Sequence, residues 1–299
     1  LAYGLKARYT MHLLKRSANK DADMEKVLEY VDNSFESAEE QAAFDVYDAN
    51  NINPLYGFFV ARAGLGASES MRSKLAEYND PRLSRAFITK QGTSGKEQAP
   101  GTADNAVYAP NGTPEQGTSK YGTSLFMYSI SAPTLLLSYH ELKFLEAEAL
   151  CRLERDAKSA LKDAVVAGLL NAENSFTISR KELGKTLINA ASSITEAEAE
   201  SYFDNTIEAK YTAEPLKTTM TQKYFALWGA SGEATESYND VRRMKGLGEN
   251  FIELKNPNSF PLRCPYGNSD TTTNAEVKAA YGNGQYVYSE NVWWAGGSR

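Results

Sequence analysis

The residues able to do covalent or metal chemistry are few and scattered. His12 and His140 are the two histidines of the 299-residue chain, and each falls within an apolar helical pattern, the setting of a packing histidine rather than of a proton shuttle. Cys151 and Cys264 are the two thiols. Cys151 lies on an apolar helix face, and a bridge between them stays open beside two free thiols. Glu146 and Glu148 look like a carboxylate pair, but two residues apart on a helix they point in different directions, and Glu148 is better matched with Arg152 one turn on. No zinc, EF-hand, P-loop or nucleophile-elbow spacing occurs, and Gly64 with Gly66 is too little for a dinucleotide turn. The expectation is a protein that is not an enzyme and uses no metal or cofactor. A hydrolase is the weaker alternative, since carboxylates distant in sequence can meet in a fold.

Non-covalent recognition has a better candidate. A stretch from about 88 to 133 is dense in Gly, Thr, Ser, Asn and Pro, and is too long for a simple connector. Within it, Tyr108 and Tyr121 stand among Asp104, Asn105, Asn111 and Gln116. Flat rings beside amides and carboxylates suit a neutral polyhydroxy ligand, so these six residues form the expected ligand site, against the plainer reading of a surface loop. Asn111, Gly112 and Thr113 also match a glycosylation acceptor, a triplet of low specificity.

The elements that must position such a loop are helices. Over 138–171, Leu142, Leu145, Ala149 and Leu153 form one apolar stripe while Phe144, Ala147 and Cys151 form another on the far side, so this helix has neighbours on two sides. Its partner carries Ala157, Ala160, Leu161, Ala164, Val165, Gly168 and Leu169 on a single face, with Asp156 placed to cap it. The connection is too short for anything but an antiparallel hairpin. A doubly buried helix followed by a singly buried one, in about 34 residues, follows the tetratricopeptide pattern.

Residues 2–36 give a second hairpin: Ala2, Leu5, Tyr9 and Leu13 against Tyr3, Ala7, Met11 and Leu14, then Met24, Val27, Leu28, Val31 and Phe35. Ser37 with Glu40 and Thr195 with Glu198 are spaced as capping boxes. Helices are expected over 199–211 and 216–228, the latter stopped by Gly229. From Gly246 onward, repeated Pro, Gly and Asn predict an extended tail held by Phe251, Phe260, Tyr266, Trp293 and Trp294. The C-terminal helices and tail thus occupy about 195–299.

Composition narrows the partners. Lys and Arg number 32 against 38 Asp and Glu, a net charge of -6, which argues against nucleic acid or anionic lipid as the main target. The 42% apolar content supports a sizeable core, and no long uncharged apolar run is present. The sequence starts in helical periodicity without an initiator Met, and reads as part of a longer polypeptide.

At QKYFALWGASGEATESYNDVRRMKGLG the chain resembles the SusD/RagB family of outer-membrane nutrient-binding lipoproteins, more particularly its SusD-like subgroup. The residues that carry this are Gln222, Lys223, Tyr224, Gly232, Glu233, Asp240, Arg242 and Arg243. The tryptophan usual after the glutamate is replaced by Ala234, Thr235 and Glu236, with Tyr238 nearby. Further matches are the run Tyr139, Glu141, Phe144 to Ala149, the turn Asn79, Asp80, Pro81, Arg82, the stretch FPLRCPYGNSDTTTN, and Val292, Trp293, Trp294. The resemblance implies an all-α protein, a single SusD-like domain over 1–299 lacking its N-terminal portion, with tetratricopeptide-like hairpins and a loop-rich remainder along them. It also implies a cell-surface protein held in the outer membrane by an N-terminal lipid anchor absent from this chain. Such a protein binds oligosaccharides without hydrolysing them and serves a SusC-like TonB-dependent transporter. Arg242 and Arg243 would then be internal ion-pair or carbonyl partners. A peptide ligand within the same family is the alternative, and a glycan hydrolase a weaker one.

Overall fold

The computed structural model describes residues 1–62, 65–88, 108–112, 121–183, 192–229, 232–256, 258–292 and 296–297. They form two compact units, Leu1–Leu254 and Lys255–Arg299.

The first unit is helical and opens on a hairpin. Helices α1 (Ala2–His12) and α2 (Lys20–Asp32) are joined by a 3-10 turn and by Asn19, whose side chain accepts from the Ala22 amide and caps α2. Ala7, Met11 and Leu14 meet Met24, Val27 and Val31 in one buried cluster. The expected second covered face of α1 is not formed among the described residues: Tyr9 is 55% and Leu13 64% exposed. The Ser37 box also fails, because Ser37 makes no cap bond and Glu40 accepts from the Glu36 amide instead.

The excursion between the hairpins contains strand β1 (Ala42–Phe44) and helices α3 (Pro54–Arg62), α4 (Glu69–Glu77) and α5 (Arg82–Arg85). Strands β2 (Phe87–Ile88), β3 (Thr123–Ser124) and β4 (Thr134–Leu137) follow. β1 pairs antiparallel with β4, placing Phe44 opposite Thr134, and β2 pairs antiparallel with β3. The turn at Asn79 takes a positive φ of 49°, and Ser68 caps α4 by accepting from the Met71 amide.

Helix α6 (Tyr139–Arg152) is the centre of the unit. Ser138 caps it by accepting from the Glu141 amide. As its periodicity requires, one face sends Leu142, Leu145 and Ala149 into the cluster with α1 and α2. The other sends Phe144 and Ala147 into a larger cluster. That cluster is built with α7 (Lys158–Leu183), α8 (Glu196–Tyr202), α9 (Glu208–Ala213) and α10 (Pro215–Ala226). Asp156 accepts from the Lys158 amide and from the Tyr211 hydroxyl at the start of α7.

Helix α7 runs past the expected end near 171 because Ala172 and Phe176 continue its apolar face into a third cluster with Phe126 and Leu125. Gly168 lets α7 approach α10 closely; a Cβ there would lie 3.0 Å from that of Ala226. The Thr195 capping box is complete, and a π turn at Phe203–Ile207 joins α8 to α9. Gly229, at a φ of 78°, ends the segment after α10. Helix α11 (Ala234–Leu247) closes the unit and stops at left-handed Gly248.

In the second unit the expected extended tail contains two short helices, α12 (Asn268–Thr273) and α13 (Ala275–Tyr281). Asn274 caps α13, and Tyr266 stacks on Tyr281 with ring centroids 4.3 Å apart. Trp293 and Trp294 lie outside the described residues. Cys151 and Cys264 are both free thiols.

Candidate functional site

The polar insertion leaves and returns through a single ribbon, since Phe87 pairs with Ser124 and Ile88 with Thr123. Its described central stretch, 108–112, is stitched onto the start of α4. The Ala109 amide donates to the Ala67 carbonyl at 2.7 Å, and the Glu69 amide donates to the Ala109 carbonyl at 3.0 Å. Asn111 Oδ1 accepts from Ser68 Oγ and from the Ser70 amide, both at 3.2 Å, so its side chain satisfies one of the open donors at a helix start.

Tyr108 is half-buried. Its ring meets Phe87 edge-on at 5.2 Å, and the Arg72 guanidinium lies 5.6 Å from its centroid. Burial pushes its hydroxyl pKa up to about 12, so it stays a neutral donor. Tyr121, at 6% exposure, is part of the interior and offers no open ring face. Asp104, Asn105 and Gln116 lie outside the described residues. Of the six expected ligand residues, the structure thus brings Tyr108 and Asn111 together on the α4 end and sets Tyr121 in the core.

The sequence paired Glu148 with Arg152; the long-range partners of the buried charges are the feature that local sequence reasoning missed. Glu148 is enclosed; Arg243 and Arg152 both donate to it, the latter at 2.8 Å. Arg243 also donates to Asp240 at 2.7 Å, and Lys223 reaches Asp240 at 2.8 Å. Burial pushes the Glu148 carboxyl up, but Arg243, Arg152 and Lys223 together pull it well below the ordinary carboxylate range. Arg242 is not a member; it is half-buried and donates to the Tyr238 hydroxyl at 3.1 Å.

About two helical turns earlier on α6, Arg8 donates to Glu141 at 2.7 Å and to the Leu136 carbonyl at 2.8 Å. Glu233 accepts from the Ser138 amide. Burial and the nearby Glu141 carboxylate raise the Glu233 pKa well above its ordinary value. The Asn171 amide donates both to Gln41 and to His140 Nδ1. That assignment leaves the His140 proton on Nε2, 3.7 Å from Glu233. Burial holds the His140 pKa down at about 3, so this contact is between neutral imidazole and carboxyl, not an ion pair. His12 meets Glu236 at 2.6 Å. These contacts fasten α1 and α11 to the central helix. Both histidines thus bond to side chains of other elements.

Among the described residues are a small cavity and an open depression. A cavity of about 20 Å³, lined by His140, Asn171, Ser175, Trp228 and Gly229, has room for about one water molecule. An open depression of about 280 Å³ is lined by Pro54, Leu55, Phe58, Thr134 and Gly232. Among the described residues, no group of three or more His, Cys, Asp or Glu side chains is arranged to hold a metal ion, and no helix is long and apolar enough to cross a membrane.

A family of SusD-like proteins described as starch-binding and associating with the outer membrane matches residues 1–266. A crystal structure of a SusD/RagB family protein from Bacteroides thetaiotaomicron is 66% identical and covers all of this chain with a TM-score of 0.90. A SusD homologue from Bacteroides fragilis at 20% identity and a chitin-binding protein at 19% share the fold, with TM-scores of 0.65 and 0.66 over 96% and 98% of the chain. The chain spans 64%, 65% and 63% of the lengths of these three proteins. No curated protein matches it. With residues 1–266 matched by the family and a 66% identical relative covering the whole chain, the chain belongs to the SusD-like family.

Proposed function

We propose that this chain is the greater part of a cell-surface protein that captures a neutral oligosaccharide and delivers it to a SusC-like TonB-dependent transporter without cleaving it. The observation that supports this most is the match of residues 1–266 to a family described as starch-binding and outer-membrane associated. The net charge of -6 agrees with a neutral ligand and with no nucleic-acid partner. Attachment to the outer membrane is by a lipid anchor. Ring stacking and amide hydrogen bonds supply the grip, so affinity is modest and changes little with salt.

Within the insertion, the proposed contacts are Tyr108 and Asn111 together with Asp104, Asn105 and Gln116, with Tyr121 fixing the base of the loop from inside. Affinity electrophoresis in gels holding soluble starch and other neutral polysaccharides tests the reading. Retarded migration that 0.5 M salt leaves unchanged is the expected result. Retention by none of the polysaccharides sinks it, and selective capture of peptides in a pulldown would favour the peptide-binding alternative. Release of shorter sugars on incubation, followed by chromatography, would replace binding by hydrolysis.

A further inference from the structure

Helix α3 does not behave as a half-buried helix should. Its sequence PLYGFFVAR is apolar nearly all round, yet Phe59 is its one buried residue, and Phe58 is 50% exposed. An apolar helix normally buries more than one stripe. Across the 280 Å³ depression from Phe58 stands Thr134 of β4. Leu135 and Leu137 turn inward from that strand, so Thr134 and Leu136 face outward. Phe44 is the cross-strand partner of Thr134, shares that outer face and is 41% exposed. Tyr47 completes the group: its ring meets Phe44 at 4.8 Å and its hydroxyl bonds Thr134 Oγ1 at 2.7 Å.

From these contacts we infer a second carbohydrate-binding surface, formed by Phe44, Tyr47, Phe58 and Thr134, that takes a neutral oligosaccharide. It rests on the reading of function above and lies apart from the Tyr108 insertion in sequence. The chemistry selects this occupant. No ionisable side chain lines the depression, so nothing there would pair with a charged ligand, while the flat apolar faces of sugar rings match aromatic rings. Hydroxyls stand at Tyr47 and Thr134, and the connecting loop carries exposed Asn50 and Asn51. The loop is itself braced by Asp48, which accepts from the Asn50 and Asn51 amides at 2.8 and 2.7 Å. Its volume of about 280 Å³ falls just below the range of small-molecule sites, about 300 to 1,000 Å³, so it takes a short part of a chain that runs on along the open surface.

The test uses the whole chain with Phe58→Ala, Phe44→Ala, Phe58→Leu and Phe58→Tyr, each compared with the wild type by affinity electrophoresis on the retaining polysaccharide and by thermal melting. Phe58→Ala and Phe44→Ala are expected to weaken retention about tenfold, Phe58→Leu nearly as much, and Phe58→Tyr to restore it, all with an unchanged Tm. Equal retention of wild type and both alanine variants overturns this surface while leaving the wider reading standing. A wild type retained by nothing removes both. Alanine variants that melt lower while binding as before would assign the face to packing against another polypeptide segment, and would also overturn the inference.

Discussion

Glu148 is a buried carboxylate whose partners are all cations, and its contribution follows from that. Replacing it by Gln leaves Arg243 and Arg152 without their shared counter-charge, and a loss of about 3 to 5 kcal/mol in denaturant unfolding at pH 7 is expected. Its folded pKa is lowered, so its contribution is present above the unfolded carboxylate range and fades as pH falls. The gap between wild type and Glu148→Gln should therefore narrow below about pH 4. His140 has the opposite character: its pKa is held down at about 3 by burial, so between there and the ordinary value near 6.5 the unfolded chain binds a proton that the folded one refuses. Stability is lost as pH falls through that window. His140→Gln should remove about 1 kcal/mol of the decline between pH 7.5 and 5.5, read as a smaller shift of the urea midpoint. An equal shift in both proteins would mean that the imidazole is open to solvent.

At the scale of elements, α6 is a helix between two layers, whereas α1 is covered on one side among the described residues. Leu145 is enclosed by α1 and α2, and Leu145→Ala should cost about 2 to 5 kcal/mol. Leu13, at 64% exposure, carries an equally apolar side chain in an equally regular pattern, but Leu13→Ala should stay within about 0.5 kcal/mol. Urea unfolding of the pair measures both, and comparable losses would mean that α1 is covered on its outer face too. The contrast marks a limit of periodicity: a stripe of apolar residues says that a face suits burial, not that a neighbour occupies it. Capping behaves similarly. Thr195 and Glu198 close their box because a helix follows at once, while the same spacing at Ser37 and Glu40 opens only a 3-10 turn, and Glu40 turns back to the Glu36 amide.

Across the whole molecule, binding and stability should separate at the two tyrosines of the insertion. Tyr108→Ala removes a half-buried ring at the proposed grip and is expected to weaken glycan retention with a small change in melting, whereas Tyr121→Ala empties an interior position and should lower the Tm by several degrees. Retention lost equally in both with equal melting would show that the ring at 108 acts through the fold alone. The sequence by itself determined the helical hairpins, the two-faced α6, the Asp156 and Thr195 caps and the family, because each is written in spacings of a few residues, the range over which a helix turn correlates its side chains. It also marked Glu148 with Arg152, a neighbour one turn away. Only the tertiary structure decided that Arg8 meets Glu141 and that Arg243 meets Glu148, pairs 133 and 95 residues apart. It alone placed Tyr121 inside and left Phe58 and Phe44 exposed. Those outcomes depend on which faces meet when hairpins pack, and local periodicity carries no record of the partner across the interface.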